Sequence, residues 1–316
     1  MSLIEQAAKR LEQLRKAGVE VYSPAVGGEA PAPDASIPTH PPARMVPASP
    51  EKRSSAGRIA PSAAVSRRIE LDLNTLSATG LISPDAPRSQ IADQYRVIKR
   101  PLIANAMAKG AAPIKRGNLI MVTSAISGEG KTFTAINLAM SIAMELDNTV
   151  MLVDADVPKP SVLKILGVPP GPGLLDVLTD ESVELSQVLM RTNVDKLSIL
   201  PSGTQHARAT ELLASDAMIR LLDEMASRYP DRIIIFDSPP LLMTTESRVL
   251  ATHMGQVVVV VKAESTARSD VKHALAAIEA CPVKLVLLNQ ARTLTQDGYG
   301  YGYGYGYAYG YGEKGV

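Results

Sequence analysis

Asn118–Thr132, NLIMVTSAISGEGKT, runs from an apolar strand pattern into a loop of small residues ending Gly-Lys-Thr, and FTAINLAMSIAMEL follows with helical spacing. Few local patterns constrain a chain as tightly. Small residues let successive backbone N–H groups curl around an anion, and the N-terminus of the next helix adds positive potential at the same place. Ser127, Gly128, Glu129, Gly130, Lys131, Thr132 and Phe133 are therefore expected to bind nucleotide, with Lys131 bridging phosphates and Thr132 ligating Mg²⁺. Ala125 stands where such loops usually begin with glycine.

A strand feeding such a loop needs parallel neighbours, and the chain supplies them. Apolar runs at Leu119–Thr123, Thr149–Val153, Leu197–Leu200, Arg232–Phe236, Val257–Lys262 and Lys284–Leu288 alternate with helical patterns. Continuous Val/Ile/Leu runs of this kind mark strands buried on both faces. The expected fold is α/β, a P-loop NTPase with a mostly parallel, doubly wound sheet and helices on both faces. Two further motifs fall at strand ends. VMLVDADVPKP places Asp154 and Asp156 just past one strand, and IIIFDSPP delivers Asp237 to the same edge, where open α/β sheets bind ligands. Carboxylates there can hold or orient a phosphate-bound metal or accept a hydroxyl proton.

Outside this core the composition changes. Prolines crowd into positions 24–61 beside Ala and Ser, a mixture with too little apolar surface to offset its ordering entropy, so a disordered linker is expected. Before it, Leu3, Ala7, Leu11 and Leu14 share one helical face, with Glu5/Lys9 and Glu12/Lys16 at i,i+4 spacing. The charges interspersed there exclude a signal peptide, and the run Val257–Val261 is too short to cross a bilayer. Ser89–Met107 reads as a helix interrupted near Pro101. The C-terminal end carries seven of the ten tyrosines, Tyr299, Tyr301, Tyr303, Tyr305, Tyr307, Tyr309 and Tyr311, separated by glycine and once by Ala308. Such a ribbon has neither a packed face nor backbone stiffness. The organisation read from this is an amphipathic helix (1–18), a Pro/Ala-rich linker (19–68), a helical extension (69–117), a P-loop core (118–291) and a Gly-Tyr tail (292–316).

Several function classes are excluded or left unsupported. A formal net charge of +1 with scattered basic residues offers no footprint for nucleic acid. The single cysteine, Cys281, rules out an internal disulfide framework and fits a reducing cytoplasm. His40, His206, His253 and His273 show no ligand spacing for a Cys/His metal site.

With SGEGKT (127–132), LVDAD (152–156) and IIIFDSPP (233–240) in hand, the chain resembles the bacterial tyrosine kinases, P-loop kinases associated with exopolysaccharide synthesis and unrelated in fold to eukaryotic protein kinases. LPSGTQHARATELLAS (200–215) also looks like that family, and MSLIEQAAKRLEQLRKAG with DQYRVIKRPLIANA (93–106) is similar to its exosortase-associated subgroup. The resemblance implies an ATP- and Mg²⁺-dependent autokinase. In it Lys131, Asp154, Asp156 and Asp237 are catalytic, with Asp154 the base and Thr132, Asp156 and Asp237 around the metal, and the seven tail tyrosines are phosphoacceptors. It further implies a homo-oligomeric ring joined through Asp93, Arg96 and Lys99, a membrane-embedded polysaccharide chain-length protein as activator, a cognate tyrosine phosphatase, and a cytoplasmic chain held at the inner membrane by its partner. Two positions depart from the family pattern, Pro158 followed by Lys159 where a basic residue is usual at the first, and Glu246 where many members carry Asp. The competing readings are an ATP-switched positioning ATPase, disfavoured because Ile126 replaces the extra lysine of that group, and a nucleotide-dependent scaffold whose tail recruits partners.

Overall fold

The computed structural model describes residues 66–85, 89–107, 113–228 and 231–291. The helix expected over 1–18, nearly all of the 19–68 linker and the Gly-Tyr tail lie outside the described residues. The described strands are β1 (Leu119–Ser124), β2 (Thr149–Asp154), β3 (Met190–Arg191), β4 (Leu197–Leu200), β5 (Arg232–Asp237), β6 (Gln256–Lys262) and β7 (Val283–Asn289). They form one sheet in the order β3-β4-β2-β5-β1-β6-β7, parallel throughout except for β3 against β4. The helices are α1 (Leu73–Ala78), α2 (Gln90–Ala106), α3 (Lys131–Ala143), α4 (Val162–Ile165), α5 (Leu174–Thr179), α6 (Leu185–Val188), α7 (Ala209–Leu213), α8 (Asp216–Arg228), α9 (Thr245–Thr252) and α10 (Arg268–Ala277).

Strand alternation divides the apolar runs between two cores. Ile120, Val122, Val150, Leu152, Ile233, Ile235, Val258 and Val260 face α2 and α3, where Leu102, Ile136 and Met140 meet them. Leu119, Met121, Met151, Val153, Ile234, Phe236, Val257 and Val259 face the other way, onto Leu174 of α5, Leu222 of α8, Leu250 of α9 and Ala274 of α10. Residues one apart on a strand point to opposite faces, which is why these strands read as unbroken hydrophobic runs rather than alternating ones. Fully burying one such Val or Ile contributes roughly 1.5–3 kcal/mol.

The segment before the core packs onto it. Ile69 N donates to Arg191 O at 2.8 Å, Leu71 and the Asn193 side chain exchange hydrogen bonds at 2.9 and 3.0 Å, and Ile82 N donates to Asn137 Oδ1 at 2.7 Å. Ile69, Leu71, Leu76 and Ile82 are buried there. The expected interruption of α2 is absent. Pro101 sits inside a continuous helix, because the carbonyl its missing N–H would have served belongs to Val97, 74% exposed and open to water. The short β3 was not foreseen, since two residues carry no periodicity.

The topology sets the binding edge. From β1 the chain crosses to β2 on one side of β1, and from β5 it later crosses to β6 on the other. The loops after β1, β2 and β5 therefore gather at the point where the winding reverses, the place where doubly wound sheets hold ligands.

Candidate active site

The loop from β1 to α3 is shaped by its glycines. Gly128 (φ +86°) and Gly130 (φ +92°) adopt left-handed conformations that L side chains rarely take. A Cβ on Gly130 would also strike the Asn289 amide. Gly130 is the N-cap of α3, so Lys131 and Thr132 open the helix with its unpaired N–H groups toward the loop. Ser127, Gly128, Gly130, Lys131, Thr132, Phe133 and Asp156 line one cavity of about 450 Å³, closed by Pro158, Lys159 and Ser161 on one side and Pro239, Pro240, Met243 and Thr244 on the other.

Glu129, expected among the nucleotide ligands, turns inward instead. It is 1% exposed, and its carboxylate accepts from Ile126 N at 2.8 Å, from Lys262 N at 3.3 Å and from the Thr266 hydroxyl. Asn289 Nδ2 donates to the Glu129 carbonyl at 2.9 Å. Residues at the ends of β6 and β7 thus clamp the loop from behind. Lys262, Thr266 and Asn289 escaped the sequence reading because their tie to the loop spans more than a hundred positions; the one local hint is a carboxylate placed inside a phosphate-binding turn. On the other flank, Leu241 N donates to Ser124 O at 2.8 Å and Thr123 Oγ1 to Pro239 O at 2.7 Å, fixing the loop after β5 against that after β1.

Three buried carboxylates lie beneath the cavity. Asp154 and Asp237 end neighbouring strands and are register partners. Lys131 Nζ contacts Asp156 Oδ2 and stands 4.0 Å from Asp237 Oδ1. Asp156 Oδ1 accepts from Lys159 N at 3.3 Å. Asp154 does not line the cavity; its Oδ2 accepts from Ser161 N at 3.1 Å and Val162 N at 3.0 Å, capping α4, while Oδ1 has no hydrogen-bond partner. Burial pushes Asp154 up to about 6, with the Asp156 charge adding to the rise against the backbone N–H groups. Burial likewise pushes Asp237 up to about 7, opposed by the Lys131 ammonium. Neither Asp237 oxygen has a hydrogen-bond partner. A carboxylate at 0% exposure with no hydrogen bond and the Lys131 ammonium no nearer than 4.0 Å is costly unless a cation meets it more closely.

This donor set fits a hard divalent ion. Thr132, Asp156 and Asp237 offer only oxygen, the ligand type Mg²⁺ takes. Among the described residues no group of three or more His, Cys, Asp or Glu side chains gathers to hold a metal alone.

The trio Asp93, Arg96 and Lys99 is not brought to this site. Asp93 and Arg96 pair with each other at 2.6 Å on the surface of α2. Lys99 is 3% exposed, donating to Ser141 O at 2.5 Å and pairing with Glu145 at 2.7 Å. Glu246, opening α9, is buried. The tail tyrosines lie outside the described residues.

Comparison with known proteins places this architecture. A family model described as an AAA domain matches residues 117–289, more than half the chain. The tyrosine-protein kinase YwqD of Bacillus subtilis is 31% identical over 206 residues, which is 65% of this chain and 83% of that protein. The succinoglycan biosynthesis transport protein ExoP of Rhizobium meliloti is 29% identical over 181 residues, 56% of this chain but 22% of its own length. Among solved structures, the chimerical protein CapA2B2 superposes with a TM-score of 0.58 at 28% identity, covering 72% of this chain and 95% of that one.

Proposed function

The chain belongs to the bacterial tyrosine-protein kinases, and on that footing we propose that it transfers the γ-phosphoryl group of Mg·ATP to tyrosines of its own Gly-Tyr tail. The observation that carries the proposal is the juxtaposition at one sheet edge of a phosphate-binding loop, a lysine and three buried carboxylates, in a chain ending with seven tyrosines. The loop amides from Ser127 to Thr132 and the Lys131 ammonium hold the phosphates. Thr132, Asp156 and Asp237 hold Mg²⁺, which supplies charge neutralisation on the phosphates when bound. Lys131 must leave Asp156 to reach a phosphate, which frees the carboxylate that faces the cavity. Asp154, raised to about 6 by burial and lying beneath the cavity rather than in its lining, is assigned on the family resemblance to receive the phenolic proton. Phosphoryl transfer asks mainly for positioning and charge stabilisation, so an acceptor needs reach more than a deep pocket.

The wider role follows from the resemblance and from relatives. ExoP carries succinoglycan biosynthesis transport in its name, and a chimera of CapA and CapB sequences superposes on this fold. They support a kinase that regulates exopolysaccharide synthesis or export, switched on by a membrane-embedded chain-length protein and reset by a tyrosine phosphatase. No described helix is long and apolar enough to cross a membrane, so attachment through that partner is the arrangement proposed. Asp93 and Arg96, exposed on α2, are the part of the proposed ring contact that a neighbouring copy can meet; Lys99 supports it from within.

Incubation of the full chain with Mg·ATP followed by peptide mass mapping tests the proposal. Phosphate on tail tyrosines in the parent and none in Lys131→Met is expected. ATP hydrolysis without phosphotyrosine, with an activator present, favours the positioning ATPase instead.

A further inference from the structure

Among the described residues oxidisable sulfur is scarce at the surface, and one such atom stands in the phosphate cavity. Cys281 is buried, and methionines of the core such as Met121, Met151 and Met218 are closed off from water. Met243 is the most exposed of the described methionines, at 62%, with Met144 next at 40%. It lines the cavity of about 450 Å³ together with Ser127, Gly128 and Lys131. We propose that Met243 is a site of reversible oxidation, at which peroxide converts the thioether to its sulfoxide and thereby weakens nucleotide binding. This control rests on the nucleotide reading of the cavity given above.

The backbone fixes where the thioether stands. Leu241 N donates to Ser124 O at 2.8 Å and Leu242 N to Ala125 O at 3.2 Å, so the segment after β5 runs hydrogen-bonded beside the start of the phosphate loop. Met243 N and the Thr244 hydroxyl both donate to Pro240 O, at 3.2 and 3.3 Å, and close a turn. From that turn Met243 Sδ accepts a hydrogen bond from the Ser127 hydroxyl at 3.4 Å. Ser127 is itself exposed and opens the run of loop residues assigned to the phosphates. Met144 has no such setting, since it caps the C-terminus of α3, the end away from the loop.

A thioether takes one oxygen from a peroxide without any metal or thiol. A lone pair of Sδ attacks one peroxide oxygen, the O–O bond breaks, and the departing hydroxide takes the proton of the sulfur-bound hydroxyl and leaves as water. Sulfur is oxidised by two electrons and the peroxide is reduced by two. Before the reaction Sδ is a weak acceptor and leaves the Ser127 hydroxyl available to a phosphate. Afterwards the sulfoxide oxygen is polar and carries partial negative charge, so it retains that hydroxyl and sets like charge against the phosphates. The expected loss of affinity is about tenfold, the order of one hydrogen bond to a charged group. Methionine sulfoxide reductases return the sulfoxide to the thioether, one enzyme for each epimer, which makes the change reversible.

The test treats the full chain with hydrogen peroxide, removes the excess with catalase, locates oxidised methionines by peptide mass mapping and measures Mg·ADP affinity by calorimetry. The parent, Met243→Leu and Met144→Leu are each compared with themselves before and after treatment. One added oxygen at Met243 and about a tenfold loss of affinity are expected in the parent and in Met144→Leu, both reversed by the two reductases. The affinity of Met243→Leu should change less than twofold. Met243 still reduced when Met144 is oxidised, affinity within twofold after full oxidation at Met243, or an equal loss in Met243→Leu overturns the proposal and leaves the nucleotide site standing. An untreated parent that binds no nucleotide removes the site itself and this control with it.

Discussion

Replacing Asp237 by Asn probes the electrostatic state of the site without disturbing its shape. In the folded chain burial raises this carboxyl from 3.8 to about 7. Between those values the folded form keeps its proton while the unfolded form is ionised, so stability is highest at low pH and falls as pH rises toward 7. From pH 5 to pH 7 that amounts to two units at about 1.4 kcal/mol each, or about 3 kcal/mol, with a plateau above. Asn cannot ionise, so the variant lacks this loss. Its buried amide, set where no hydrogen-bond partner waits, costs about 1–3 kcal/mol at every pH, so the pH dependence is the diagnostic quantity. Urea unfolding at pH 5 and pH 8, without Mg²⁺ or nucleotide, should show the parent losing about 3 kcal/mol more than Asp237→Asn. Parallel losses in the two proteins would refute the placement of Asp237 as a desolvated carboxylate without a hydrogen bond.

Gly130→Ala should lower nucleotide affinity at least a hundredfold by calorimetry, because a Cβ meets Asn289 at a left-handed φ. Glu129→Ala leaves three donors without their acceptor and should cost roughly 2–4 kcal/mol by denaturant unfolding, with weaker ATP binding as the loop loosens. Lys99→Met removes the cation from Glu145, whose side chain is 28% exposed and can hydrate; the loss should stay near 1–2 kcal/mol in the same assay, below that of a fully buried pair. Asp154→Asn should reduce tyrosine phosphorylation at least tenfold while ATP affinity changes less than threefold, measured by peptide mass mapping and calorimetry.

The core was legible because parallel strands buried on both faces write themselves as apolar runs. β1, β2, β4, β5 and β6 lie where such runs fall, and Asp154, Asp156 and Asp237 come with them; β7 also lies on a run, but as an edge strand it leaves Val286 and Leu288 exposed on one face. Features made by distant contacts were not legible. Glu129 sits in a loop whose sequence suggests phosphate contact, yet its partners Lys262 and Thr266 arrive from the end of β6. Lys99 follows Asp93 and Arg96 at a spacing that looks like one surface. Six residues of helix turn through about 600°, leaving it about 120° from Asp93 and against α3. Pro101 suggested a break, but a solvent-facing turn tolerates the missing bond. The segment 69–82 carried too weak a pattern to place; its anchors are side-chain amides, Asn137 and Asn193, on elements far along the chain.

The central claim is that the γ-phosphoryl group held at Gly130–Thr132 passes to a tail tyrosine. A single-turnover reaction with γ-labelled ATP, Mg²⁺ and the full chain in excess, with its activator, follows the label directly. The account predicts label in peptides containing Tyr299–Tyr311, and none there in Lys131→Met. Label appearing entirely as inorganic phosphate, with the tail unmodified throughout, would contradict it.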